Sequence, residues 1–204
     1  MSLLREKYDD YYFAVNPSFP QKIRAKANIV KSFKKRGDLL EIGCGDAFLL
    51  NELKGNFNAV GIDISEHALM RAQKLIDKRK LKIMDIEKED LKGKYDVILA
   101  FDVLEHLKNP KKAIIKVKKA LKNRGIFIFS VPNNHGLFGS ISTMVFNYFD
   151  KTHMSTFKRG EWIRIVNDLG FKELEIINKT WFGFTKFDLA KYFTTTFIVK
   201  VKVS

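Results

Sequence analysis

The stretch Leu39-Leu-Glu-Ile-Gly-Cys-Gly-Asp-Ala-Phe-Leu-Leu50 decides the fold. Leu39 to Ile42 is a short apolar run interrupted only by Glu41, as expected of a strand buried on both faces. The run stops at Gly43-Cys44-Gly45 and passes into a helical pattern that begins near Asp46. Glycines at such a strand end let the backbone turn sharply and approach a ligand closely. The free N–H groups of a following helix favour an anionic group. The next strand, Ala59 to Ile62, closes on Asp63. A carboxylate at that adjacent strand tip can accept hydrogen bonds from both hydroxyls of a ribose. Asp63 has a second reading, as a helix-entry acid ahead of Ser65.

Outward from this unit the chain keeps alternating short apolar runs with helical patterns, the signature of a parallel sheet covered by helices. Further strands are predicted at Leu81 to Met84, Asp96 to Ala100 and Ile126 to Val131. Ser65 precedes Ala68, Leu69, Ala72, Leu75 and Ile76 at helical spacing. Asn109-Pro110 reads as an N-cap with proline in the first turn. Ala113, Ile114, Val117, Ala120 and Leu121 follow on one helix face, and Gly125 is expected to end that helix. A last helix is predicted from Lys158 to Leu169, stopping at Gly170. Beyond Val131 the stretch Pro132 to Phe149 is rich in glycine and aromatics and has no clean period. Phe171 to Asn178 and Thr196 to Val203 read as two more strands. In the second, Ile198, Lys200 and Lys202 alternate with Val199, Val201 and Val203, which predicts a half-exposed strand.

Composition narrows the class. The 204 residues fit one domain with a real core, and 46% apolar content excludes a disordered chain. Cys44 is the only cysteine, which excludes an intrachain disulfide and a cysteine-built zinc site; no metal site is expected. One thiol in this position reads as a small packed residue before it reads as a nucleophile. A reducing compartment follows, hence a cytoplasmic location. No stretch has signal-peptide character, and no window approaches the ~18–20 apolar residues of a membrane span. The net charge of +14 admits two readings, an RNA, DNA or anionic-membrane partner, or a surface solvated by lysines spread along the chain.

A dinucleotide-binding dehydrogenase uses the same strand–loop–helix geometry. Two details weigh against it. Phe48 stands where the third glycine of G-x-G-x-x-G would be, and is expected to crowd the helix packing which that glycine allows. Glu41 lies two residues before Gly43, suited to a cationic amine and unsuited to a pyrophosphate.

Glu41-Ile-Gly-Cys-Gly45 resembles motif I of the class I S-adenosylmethionine (SAM)-dependent methyltransferases. Asp63 is similar to their ribose-binding acid, and Met84-Asp85-Ile86 to the adenine-side turn after their third strand. Tyr95 to Leu107, YDVILAFDVLEHL, resembles their fourth strand and its loop, and Ala120 to Asn133 their fifth helix–strand unit. His153 and Phe157 resemble a late H-x-x-x-F element of the ubiquinone-biosynthesis-like branch. The resemblance covers about Leu39 to Phe171, with its motifs in order.

It implies an α/β fold, a three-layer Rossmann-like sandwich with a mostly parallel seven-stranded sheet and an antiparallel edge. One methyltransferase domain would span 1–204. Within it, 1–36 would form a helical lid segment, 37–133 the SAM-binding core, and 134–204 the acceptor side and sheet edge. Glu41, Gly43, Cys44 and Gly45 would contact the methionine part of SAM, and Asp63 the ribose. Ile64 and Ile86 would enclose the adenine, with Asp85 on its amine. Phe101 and Asp102, in the segment ending at His106, would border the transferred methyl, and S-adenosylhomocysteine (SAH) would be the product. His153, then His106, are the candidate bases; each has a structural reading as well. Tyr8, Tyr11, Tyr12 and Phe13 suit a lid. Phe146, Tyr148, Phe149, Trp181, Phe182, Phe184 and Tyr192 suit a small apolar or aromatic acceptor, or complete the core. An RNA or protein acceptor, and a non-catalytic SAM-binding protein, remain as alternatives.

Overall fold

The computed structural model describes residues 20–132, 157–180, 183–185 and 196–203. The chain divides into two compact units, Met1–Asp85 and Ile86–Ser204.

The first unit runs α1 (Pro20–Phe33), β1 (Gly37–Ile42), α2 (Phe48–Leu53), β2 (Phe57–Asp63), α3 (Glu66–Ala72), a 3-10 turn at Lys78–Lys80, and β3 (Leu81–Ile83). β2 is flanked by β1 and β3, both parallel to it, with Leu39 beside Ala59 and Asp63 beside Ile83. Leu39, Leu40 and Ile42 are buried, so β1 is covered on both faces as its apolar run predicts. Ser65 caps α3 by accepting the Ala68 N–H at 3.1 Å. The regular helix stops at Ala72, short of the predicted Ile76. The chain tightens there into turns, with the Lys74 and Leu75 amides bonding to Arg71 and Ala72, and Ile76 stays buried. α2 likewise starts at Phe48 and not near Asp46, because Ala47 holds a left-handed backbone with φ of 61°.

The second unit runs β4 (Tyr95–Phe101), a 3-10 turn at Leu104–His106, α4 (Pro110–Ala120), β5 (Leu121–Pro132), α5 (Arg159–Asp168), β6 (Lys172–Thr180), β7 (Gly183–Thr185) and β8 (Thr196–Lys202). β4 and β5 are parallel, β8 is antiparallel to both β5 and β6, and β7 closes a short hairpin on β6. The three-residue β7 is an addition to the seven strands expected. Asn109 caps α4 through the Lys112 N–H at 3.1 Å, with Pro110 in the first turn. Gly125 does not end α4. Leu121 already has extended backbone, and Gly125 lies inside β5, where a Cβ would meet the Lys122 carbonyl oxygen at 2.8 Å.

β8 is not half-exposed either. It lies between β5 and β6, and both of its faces are covered: Phe197, Ile198, Val199 and Val201 are buried, as is Lys200. The Lys200 ammonium sits 3.3 Å from the Glu175 carboxylate, which is how a cation is accommodated in that position. Phe127, Phe129 and Trp162 form the aromatic centre of this unit, with ring centroids 4.9 and 6.0 Å apart. At about 25 cal/mol per Å2, rings of this size dominate the burial term.

Candidate cofactor site

In the first unit the β1 tip is built by backbone. The Gly43 and Cys44 N–H groups both donate to the Ile62 carbonyl, at 2.8 and 3.1 Å, which ties the loop to β2. Gly43 and Gly45 take φ values of 68° and 51°, the left-handed region where a side chain is strained. The loop then brings the Gly45 N–H to Asp63 Oδ2 at 2.7 Å, while the Ser65 N–H donates to Oδ1 at 2.8 Å. Asp63 is thus clamped by two backbone donors at the β2 tip.

Glu41 is 5% exposed, and among the described residues its Oε2 has no hydrogen-bond partner. Burial pushes its carboxyl up to about 8, with Lys26 pulling the other way and Asp63 adding to the rise. A buried carboxyl oxygen left without a donor is the kind of group that a ligand cation completes. Cys44 is also buried, and burial together with Glu41 and Asp63 drives its thiol well above the usual range. It is a packed residue and not a nucleophile. Ile64 is 46% exposed directly after the Asp63 tip. Asp85 is partly exposed just beyond β3, where the Met84 N–H extends the pairing to the Asp63 carbonyl at 2.9 Å.

In the second unit Ile86 is buried, and its carbonyl accepts the Lys116 ammonium at 2.9 Å. Phe101 ends β4, buried. Asp102 follows with φ of 57°, a conformation that costs a non-glycine residue of order 1–3 kcal/mol. A reciprocal pair holds it there: the Asp102 N–H donates to Ser130 Oγ at 2.9 Å, and that hydroxyl donates to Asp102 Oδ1 at 2.6 Å. His106 closes the Leu104–His106 turn, half-buried, with its N–H on the Val103 carbonyl at 3.0 Å. His153, the tyrosines proposed for the lid, and the aromatics of 137–149 lie outside the described residues, as do Trp181, Phe182 and Tyr192. Among the described residues no group of three or more His, Cys, Asp or Glu could hold a metal, and no helix is long and apolar enough to cross a membrane.

Phe48 does not crowd the helix: its side chain is 42% exposed. The close packing is supplied instead by Gly61 in β2, where a Cβ would stand 2.6 Å from both Cys44 Sγ and Leu50 Cδ1. Gly61 was missed in reading the sequence, although a glycine inside the apolar run Val60–Ile62 signals close approach. Two anchors were missed with it. Arg71 binds Asp46 at 3.0 Å, and Ser130 holds Asp102; neither belongs to a local pattern.

Residues 10–176 match the family described as a methyltransferase domain. The uncharacterized protein MJ1123 of Methanocaldococcus jannaschii is 29% identical over 181 residues, 83% of this chain and 80% of that protein. A ubiquinone biosynthesis O-methyltransferase of Pelagibacter ubique is 34% identical over 128 residues, 56% of this chain and 53% of that enzyme. The match therefore spans about half the length of that relative. Among solved structures, a SAM-dependent methyltransferase of Thermotoga maritima, described as a possible histamine N-methyltransferase, superposes with a TM-score of 0.74 at 17% identity, covering 100% of both chains. The architecture is thus the Rossmann-like α/β fold, and the chain belongs to the methyltransferase-domain family as a SAM-dependent methyltransferase.

Proposed function

We propose that the chain binds SAM at the tips of β1 and β2 and transfers its methyl group to an O, N or C atom of a small, apolar or aromatic acceptor. The observation that carries the cofactor assignment is Glu41, a buried carboxyl with one oxygen lacking a partner among the described residues, beside a glycine loop that leads to the clamped Asp63. A protonated amine would complete Glu41, and a ribose diol would donate to the Asp63 carboxylate. A pyrophosphate would meet these acids with like charge. Asp85 would accept from the adenine amine, with Ile64 beside the ring.

When bound, SAM supplies a methyl group on a positive sulfur, already activated for displacement. The chain's task is to hold acceptor atom, carbon and sulfur in line, which supplies several kcal/mol by positioning alone. A base serves only an acceptor that must lose a proton near neutral pH. His153 is the first candidate and His106 the second. The relatives named for O-methylation in ubiquinone biosynthesis support a small-molecule acceptor. The net charge of +14 favours a second reading, an RNA or protein acceptor.

Calorimetric titration with SAH, with NADH as control, tests the cofactor. One-site binding of SAH alone is the expected result; no binding by folded protein removes the assignment. Methyl transfer from labelled SAM to phenolic small molecules, in parallel with RNA and protein extracts, separates the acceptor readings. SAH binding without turnover on any of them would leave a non-catalytic binding protein. His153→Ala should lower turnover at least tenfold while SAH affinity stays unchanged, and normal turnover returns His153 to a structural role.

A further inference from the structure

We infer that the solvent face of α4 is a docking surface for the phosphate backbone of a nucleic acid. The helix reads Pro-Lys-Lys-Ala-Ile-Ile-Lys-Val-Lys-Lys-Ala, with five lysines and no acid. Its apolar side, Ala113, Ile114, Val117 and Ala120, is buried. The lysines divide into two groups with different work. Lys116 binds the carbonyls of Ile86, Glu87 and Glu89 at 2.8 to 3.2 Å, and Lys118 binds the Leu169 carbonyl and lies over the Phe171 ring. These two hold neighbouring segments in place.

Lys111, Lys112 and Lys119 are exposed and do no such work. Among the described residues no carboxylate pairs with them. At about 100° per residue they fall within one arc of roughly 100° on the helix surface. Exposed Lys108 stands just ahead of the helix and extends the same basic run. Lys111 and Lys112 also lie in the first turn, at the positive end of the helix dipole, where a carboxylate is preferred and a cation is unfavourable. No acid stands in that turn. A solvated helix normally relieves such repulsion with acids three or four residues away; none stands on this helix, and among the described residues no carboxylate pairs with these three lysines.

The geometry suits a polyphosphate. Lys111 and Lys119 are eight residues apart, about 12 Å along the axis, over which one strand of a duplex presents three to four phosphates at about 3.4 Å each. A membrane surface fits less well. Only Ile115, at 38% exposure, is an exposed large apolar residue of this helix, whereas a membrane-lying helix needs a broad apolar face. None of the residues proposed for SAM lies on α4, so this surface stands apart from the cofactor reading.

The test is fluorescence anisotropy of the full chain with a labelled 20-nucleotide RNA and a 20-base-pair DNA at several salt concentrations. The α4 triple variant Lys111→Gln, Lys112→Gln, Lys119→Gln is compared with a charge-matched control, Lys35→Gln, Lys74→Gln, Lys78→Gln, altered at exposed lysines elsewhere. Far-ultraviolet circular dichroism and thermal melting report that each variant is folded. The expected result is salt-dependent binding that the α4 variant weakens at least tenfold and the control does not. For the single strand the slope of log K against log salt falls by about two, as three lost phosphate contacts require. Equal weakening by both variants would overturn the proposal in favour of net charge alone. Absence of binding at low salt would also overturn it. So would an α4-dependent affinity for vesicles of anionic lipid without one for nucleic acid.

Discussion

A carboxyl group buried as deeply as Glu41 costs free energy to ionise unless a cation meets it. Its folded-state value of about 8 lies above the ordinary 4.5, so between these values the folded chain holds a proton that the unfolded chain releases. Glu41 therefore contributes its full stability below about 4.5 and loses it as pH rises through about 8. The ligand-free protein should lose on the order of 5 kcal/mol across that window. Glu41→Gln, which cannot ionise, should flatten that part of the pH profile in thermal melts. The same substitution should weaken SAH roughly ten- to hundredfold, the usual worth of a hydrogen bond to a charged group. A pH profile unchanged by Glu41→Gln would mean that the carboxyl is hydrated and not buried as described. Asp63→Ala acts differently, since it removes the acceptor of two backbone donors as well as the proposed ribose contact. It should weaken SAH at least tenfold and also cost about 1–3 kcal/mol in urea unfolding. Lost stability with unchanged SAH affinity would leave Asp63 as a loop clamp only.

The β1–loop–α2–β2 unit depends on contacts that no single element contains. Gly61 admits Cys44 and Leu50 over the pleat of β2, and both would lie 2.6 Å from an added Cβ. Gly61→Ala should cost about 1–3 kcal/mol by overpacking. Because Cys44 belongs to the cofactor loop, the same change should lower SAH affinity. Pairing it with Cys44→Ala removes one of the two clashing sulfur and carbon atoms and should recover part of the loss. If the double variant is as unstable as the sum of the singles, the contact is not the cause. This unit also shows what could be read ahead of the structure. The strand end, the glycine turn and the acid at the next tip are local in sequence, so residue type and spacing reveal them. Gly61 announces a close approach without naming the partner, because Cys44 and Leu50 reach it only through the fold. α4 was legible at its start, where Asn109 caps the first turn. Its end was misplaced at Gly125 because the helix stops where Leu121 joins the sheet, a tertiary event.

At the scale of the whole chain, the misreading of β8 has the same origin. Alternation of Val with Lys and Ile marks two faces, but which strands flank them is decided elsewhere. Here β8 is an inner strand paired with β5 on one edge and β6 on the other, side chains on both of its faces are buried, and Glu175 accommodates Lys200. The candidate bases show a different limit: His106 closes the 3-10 turn after β4, and His153 lies outside the described residues. Net charge is the one whole-molecule property that composition states outright, and it has a measurable consequence. An excess of fourteen positive charges repels itself in the compact state. Exposed ion pairs such as Arg79 with Asp77, 2.6 Å apart, offset little of it, because solvent screens them. Raising salt from about 10 to 100 mM shortens the screening length from roughly 30 to 10 Å. The long-range repulsion is then screened, while close pairs such as Lys122 with Asp96, at 2.9 Å, keep much of their attraction. Thermal melts should therefore rise by about 2–4 °C over that range, corresponding to about 1 kcal/mol for a chain of this size. A melting temperature that falls instead would mean that attractive pairs outweigh the repulsion, and that the excess charge is already neutralised within the fold.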